Sequence, residues 1–395
     1  MRTKLFSVAV AATATLALAA CGGGNGDGGG GGQTGAAGGL KGQGSGESCT
    51  ISQAVPVGAA LSLTGAAGSY GTSQQKGLEL AAEQLNAKGG VKYDVKIEDD
   101  QTDPRQGITV FEGFVNGGKS IIIGPTLSNT AFQAQPVAQE GKTPVLAISN
   151  TAKGITAQGD YIFRDSLTEA QVIPQTVKKA KEKFSLAKVV VMYSNDDAFT
   201  KSGFEVFDAA LKTEGVQVLE TITFSKADTD FRALLTQAKG QSPDAIVVSG
   251  LIEAAIPLVT QARELGITVP IIGGNGFNNP KLMADAGEAA EGVVVGAAWN
   301  SASANELNAG FIKDFQTKFN AAPDQFAAQA HAGLTLIDHA VRSGCSAERD
   351  AIRDGLSKIS NVPTVLGDVS INADRDAEHP AVVQVVEGGK FTVLQ

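Results

Sequence analysis

Cysteine is scarce: the chain has three in 395 residues, Cys21, Cys49 and Cys345. So few thiols cannot build a disulfide scaffold, and their spacing fits no structural zinc site. Histidine is as rare, and no H-E-x-x-H occurs. His331 and His339, on one helical pattern, therefore read as ordinary helix residues rather than metal ligands. G-x-S-x-G is absent, and neither Cys49 nor Cys345 sits in a nucleophile motif, so no catalytic constellation is visible. Basic residues are outnumbered, 32 Lys+Arg against 41 Asp+Glu, for a formal charge of −9. An acidic surface repels phosphate backbones, which excludes nucleic acid as a partner. With 43% hydrophobic and 18% charged residues, the chain is too apolar for disorder and too polar for many membrane spans. Its length suggests two domains, each with its own core.

The N-terminus reads as a processed segment. Arg2 and Lys4 precede an apolar run over 5–20 that closes on small residues, the form of a secretory signal over 1–20. The run is shorter than the ~20 residues of a comfortable membrane span. Leu18-Ala19-Ala20-Cys21 resembles a bacterial lipobox, which implies that Cys21 is diacylated and becomes the mature N-terminus. Residues 21–48 then form a tether, because 22–46 hold 15 of the 48 glycines and Leu40 is their one large aliphatic residue. Such a segment reaches about 25–30 Å. Export leaves Cys49 and Cys345 as an even pair in an oxidising compartment. They are expected to form a disulfide joining the start of the folded region to a late helix. Two buried free thiols are the alternative, since sequence does not give their separation.

From Ala54 onward, short β-rich runs alternate with amphipathic helical stretches. Strands are predicted at 55–61, 91–98, 120–123 and 145–148, then at 189–193, 216–224, 245–249, 271–273 and 293–297. Val91, Tyr93, Val95 and Ile97 alternate with charged residues, as on a half-exposed strand, whereas Ile121-Ile122-Ile123 suits a central parallel strand. Helices are predicted between them at 74–87, 105–115, 201–213, 230–239, 254–265 and 280–286, and again over 304–360. Strands at 365–369, 382–387 and 391–394 close the chain. Alternating β and α imply parallel sheets with right-handed crossovers, and so many strands divide most simply into two doubly wound lobes.

Gly113 to Ser120 matches the phosphate-loop pattern G-x-x-x-x-G-K-S letter for letter. The cradle needs a strand before and a helix after. Here a helical pattern leads in and a strand follows, so the segment reads as a turn. Gly274-Asn275-Gly276 lacks the third glycine of a dinucleotide fingerprint. Asp99, Asp100 and Asp103 read as a strand end and a helix cap, not a calcium loop.

In open α/β sheets, ligands bind beyond the carboxyl ends of the strands. The first-lobe loops there carry Tyr70, Ser128, Asn129, Thr130, Ser149, Asn150 and Thr151, rich in hydroxyls and amides and free of charge. The second-lobe loops carry Asp196, Asp197 and Phe199, then 251–253 ending in Glu253, then 275–278 beginning with Asn275. Trp299, the one tryptophan, follows the last strand of that series. This composition holds a small carboxylate or carbonyl by neutral donors.

The ordered set Val57-Gly-Ala-Ala-Leu-Ser-Leu-Thr-Gly65, Tyr70-Gly71, Asn86-Ala-Lys-Gly-Gly90, Glu98-Asp-Asp100 with Asp103-Pro104, and Ile123-Gly-Pro125 carries a resemblance. Asp228-Thr-Asp-Phe231, Gln261-Ala-Arg-Glu-Leu-Gly266 and Ala289-Ala-Glu-Gly292 continue it. Across 50–395 the chain is similar to the leucine/isoleucine/valine-binding proteins, the type I periplasmic components of ABC importers. The resemblance implies two α/β lobes joined by three hinge crossovers, near 164–167, 297–300 and 363–366. The first lobe would comprise 49–165 and 298–364, the second 166–297 and 365–395. It implies first-lobe ligand contacts at Tyr70, Ser128, Ser149 or Asn150, and Thr151, beside the loop candidate Asn129, with Phe199 closing over the ligand where the family usually has Tyr. The family's amino-acid binders present an acid at the position of Asn275. Either Glu253 or Asp197 substitutes here, or the ligand is an amide, urea, short acid or aromatic acid walled by Phe199 and Trp299.

The resulting expectation is a monomeric, lipid-anchored, extracytoplasmic protein that hands a small polar solute to an ABC permease with its ATPase, without cofactor or metal. The alternative is a sensor that presents its closed form to a signalling partner. A secreted hydrolase is disfavoured by the lack of a nucleophile–base pair.

Overall fold

The computed structural model describes residues 39–395. The signal segment, Cys21 and most of the tether lie outside the described residues. The first lobe is built from β1 (Val55–Leu61), α1 (Gly68–Lys88), β2 (Tyr93–Asp99), α2 (Pro104–Asn116), β3 (Ile121–Ile123), α3 (Ser128–Glu140), β4 (Val145–Ala147) and β5 (Ile162–Arg164). Its sheet is parallel throughout, in the order β2-β1-β3-β4-β5. The apolar run of β3 is fully buried because both faces of the sheet are covered, Ile121 and Ile123 entering one core and Ile122 another. β2, at the edge, buries Tyr93 and exposes Asp94 and Lys96. Asp103 accepts the amide of Arg105 with Pro104 in the first helical turn, which starts α2 where the sequence indicated. Because α2 precedes β3, residues 113–120 are a helix-to-strand turn with no phosphate cradle.

The chain then crosses into α4 (Glu169–Phe184), β6 (Lys188–Ser194), α5 (Ala198–Thr213), β7 (Gln217–Phe224), α6 (Arg232–Gly240), β8 (Ala245–Ser249), α7 (Ile252–Glu264), β9 (Ile271–Gly273), α8 (Lys281–Ala286) and β10 (Val294–Ala297). It returns to the first lobe as α9 (Glu306–Phe319), α10 (Gln325–Gly344), α11 (Arg349–Leu356), β11 (Val362–Thr364), β12 (Gly367–Ile371) and β13 (Ala377–Glu378). β14 (Val382–Glu387) and β15 (Lys390–Val393) complete the second sheet, ordered β15-β14-β10-β9-β8-β6-β7 with β14 antiparallel to β10.

Two expected boundaries move. Val365, Leu366, Val369, Ile371 and Ala377 pack into the core of the first lobe, so 365–378 do not belong to the second. Their β-rich pattern fits either sheet, and packing decides between them. The third crossover accordingly falls at 379–381, between β13 and β14, rather than at 363–366. The tether also ends early. Leu40 accepts the amide of Ala347, Gly42 donates to the carbonyl of Cys345, and Gln43 pairs with Thr50, so 39–48 belong to the first lobe. Beside this pairing Cys49 and Cys345 are disulfide-bonded, with Cα atoms 5.4 Å apart, within the normal reach of the bond.

Candidate functional site

Both sheets turn the carboxyl ends of their strands toward one crevice, and the loops after β1, β3, β4, β6, β8 and β9 meet there. Tyr70, in the first turn of α1, is buried and reaches across it. Its hydroxyl donates to the carbonyl of Gly276 at 2.7 Å and accepts the amide of Ile252 at 2.7 Å. Two glycines make this approach possible. A Cβ on Gly71 would lie 1.9 Å from the carbonyl oxygen of Ser62, and one on Gly276 would lie 2.4 Å from that of Gly250. Asn129 ties the lobes a second time, donating to Asp197 Oδ2 at 2.7 Å and accepting the amide of Ala198 at 2.9 Å. Lys153 N to Ser202 Oγ at 3.0 Å and Asn279 Nδ2 to Ser69 Oγ at 3.1 Å add further bridges. The two lobes are closed on one another.

Between them lies a cavity of about 20 Å³, walled by Tyr70, Ser128, Ser149, Asn150, Phe199 and Asn275, with Thr126, Leu127, Leu251, Gly276 and Phe326. That is space for about one water molecule. Any larger solute must enter while the lobes are apart. The hydroxyl lining is pre-ordered: Thr126 Oγ1 accepts the amide of Ser62 and donates to Gln74 Oε1, Gln74 donates to Ser149 Oγ, and Ser149 donates to the carbonyl of Thr126. Asn150 donates to the carbonyl of Pro125, while its Oδ1 is buried without a partner. Leu127 and Ser128 begin α3 at the cavity wall, and a helix N-terminus favours a carboxylate.

The remaining candidates do not line this cavity. Thr151 donates to Glu169 Oε1 at 2.8 Å. Glu253 borders a second interlobe cavity of about 360 Å³ shared with Asn129 and Asp197. Burial raises its carboxyl to about 7, reinforced by the neighbouring Asp197 charge. Trp299 does not belong to the site. Its Nε1 donates to Asn308 Oδ1 at 2.7 Å and its ring packs edge-to-face on Phe311, inside the first-lobe core. The crossover after β10 turns it away from the crevice. Sequence reasoning missed Gln74, Glu169, Gln325 and Phe326, while Thr126 lies within the first-lobe loop it identified. Gln74 alone carried a signal, as a polar residue on the stripe of α1 that buries Tyr70, Leu78 and Ala81. Gln325, at the start of α10, accepts from Asn278 and from the amide of Ala298 and donates to Asn275 Oδ1, a junction joining distant segments.

His331 faces Gln84 and is held near 4 by burial, and no three of His, Cys, Asp and Glu gather as a metal site among the described residues. Residues 54–390 match the family model described as periplasmic binding protein. The chain belongs to that family. This binding protein shares its fold with the branched-chain amino acid transporter substrate-binding protein LivJ from Streptococcus pneumoniae, solved in complex with isoleucine. The two are 28% identical, with a TM-score of 0.81 over 86% of this chain and 98% of that one. The Leu/Ile/Val-binding protein BraC3 of Rhizobium johnstonii is 24% identical over 327 residues, 82% of this chain and 88% of its own. A leucine-, isoleucine-, valine-, threonine-, and alanine-binding protein of Pseudomonas aeruginosa is 24% identical over 321 residues, 80% and 85% of the two chains. These relatives are substrate-binding proteins and not enzymes.

Proposed function

We propose that this binding protein captures a small amino-acid-like solute, a branched-chain amino acid or a related amide or acid, and delivers it to an ABC permease. Lipidation of Cys21 would hold it on the extracytoplasmic face of the membrane. The observation that carries the reading is the small cavity walled from both lobes by Tyr70, Ser128, Ser149, Asn150, Phe199 and Asn275. Hydroxyls and amides line it, the N-terminus of α3 faces it, and Tyr70, one of its walls, also bridges the two lobes. Binding energy is thereby coupled to an open–closed equilibrium, which a permease can read.

Isothermal titration of the soluble Cys21→Ser protein with leucine, isoleucine, valine, threonine and alanine tests the assignment. Benzoate and 2-hydroxy-4-methylpentanoate complete the panel. Saturable binding of at least one member, recovered chemically unchanged, is expected. Absence of binding across the panel, or turnover of the solute, overturns it.

A further inference from the structure

Glu169 is a buried carboxylate with one oxygen left over. It stands at the first position of α4, in the segment linking the lobes, and is 2% exposed. Oε1 accepts Thr151 Oγ1 across the lobe boundary, while Oε2 has no partner. A Cβ on Gly274 would stand 3.4 Å from Oε2 and one on Gly203 3.8 Å, so it lies close to the turn that carries Asn275, with Ser249 and Phe207 packed at the same two glycines. Thr151, its one partner, directly follows Ser149 and Asn150 in the cavity wall. An unpartnered carboxylate at this depth is costly, and a cation arriving with the solute removes that cost.

We infer that Glu169, oriented by Thr151, receives the ammonium group of the solute as the lobes close. This rests on the solute-binding reading above and narrows it to ammonium-bearing solutes. The turn at Asn275 presents an amide and not a charge, and Glu253 borders the second interlobe cavity. Glu169 is thus the buried acid set behind the inner cavity wall. On its other side is a cavity of about 790 Å³ shared with Lys153, Arg164, Glu205, Arg375 and Asp376. Arg164 is the cation that acts on Glu169, but its guanidinium is engaged by both oxygens of Asp376 and by the carbonyl of Ala152. Burial raises the Glu169 carboxyl to about 7, so the solute-free form holds a proton near neutrality that an incoming ammonium must expel.

The test compares L-leucine with 2-hydroxy-4-methylpentanoate, alike except for the ammonium, on the wild type and on Glu169→Gln. The amide keeps the shape and an acceptor for Thr151. Glu169→Gln is expected to weaken leucine about 100- to 1,000-fold and to change the hydroxy acid less than threefold. Titration at pH 6.5 in buffers of different ionisation enthalpy should show proton release when wild type binds leucine and none with the hydroxy acid. That readout does not depend on the variant's folding. Equal losses for both compounds, unchanged leucine binding by the variant, or no proton release overturn the inference while leaving the binding function intact. The same holds if only panel members without an ammonium bind. If no panel member binds the wild type, the binding function itself fails and the inference fails with it.

Discussion

The hydroxyl of Tyr70 lies 2.7 Å from the carbonyl oxygen of Gly276, a hydrogen bond from the first lobe to the second. The same oxygen accepts the amide of Ile252. Tyr70→Phe removes both bonds and leaves a buried N–H and C=O that only opening can hydrate. Each bond contributes about 0.5–1.5 kcal/mol net. Small-angle scattering of the solute-free variant should therefore give a larger radius of gyration than the wild type. Identical profiles would show that Tyr70 does not hold the lobes together.

The bond between Cys49 and Cys345 closes a loop of sequence separation 296 far from the crevice. Replacing both by serine should lower stability by about 2–5 kcal/mol and leave solute affinity unchanged. Denaturant melts of the variant, and of the wild type with and without reductant, measure this. An affinity change would mean that this end of the first lobe communicates with the site.

Trp299 separates what the sequence shows from what it does not. A tryptophan at the end of a second-lobe strand reads as a cleft wall, yet its indole is tied to Asn308 within the first-lobe core. Intrinsic fluorescence should therefore change little when a bound solute is confirmed by another method. Trp299→Phe should cost about 1–3 kcal/mol by leaving the Asn308 oxygen without its donor, without altering affinity. A large solute-dependent emission shift would place the indole back at the crevice.

The central strands were legible because burial on two faces demands continuous apolar runs, as in Ile121-Ile122-Ile123 and over 245–249, whereas the short β5, β11 and β13 were not. The helix starts at Asp103-Pro104 were legible because caps are local. The crevice lining was readable as a class, since Ser128, Ser149 and Asn150 fall where parallel strands end. Contacts joining distant segments were not. Gln325 reaches Asn275 and Asn278 only through the fold, and nothing local marks Glu169 as more than the first residue of a capped helix. The third crossover was misplaced for the same reason, because Val369 and Ile371 fit either sheet until packing chooses one.

The proton on Glu169 also governs stability. Its folded value of about 7 lies above the ordinary 4.5, because burial disfavours the charged form more than Thr151 and Arg164 favour it. Between about pH 4.5 and 7 the folded state keeps a proton that the unfolded state has released. Stability contributed by this group therefore falls as pH rises through that window and levels off above it. The full change is on the order of 3 kcal/mol for a shift of this size. Glu169→Gln cannot titrate, so its stability should exceed that of the wild type by more at pH 7.5 than at pH 5, when both are followed by denaturant melts without solute. Parallel pH profiles for the two proteins would mean that Glu169 is ionised throughout and already partnered. Saturating L-leucine should narrow the gap at pH 7.5, since its ammonium supplies the missing partner in the wild type alone.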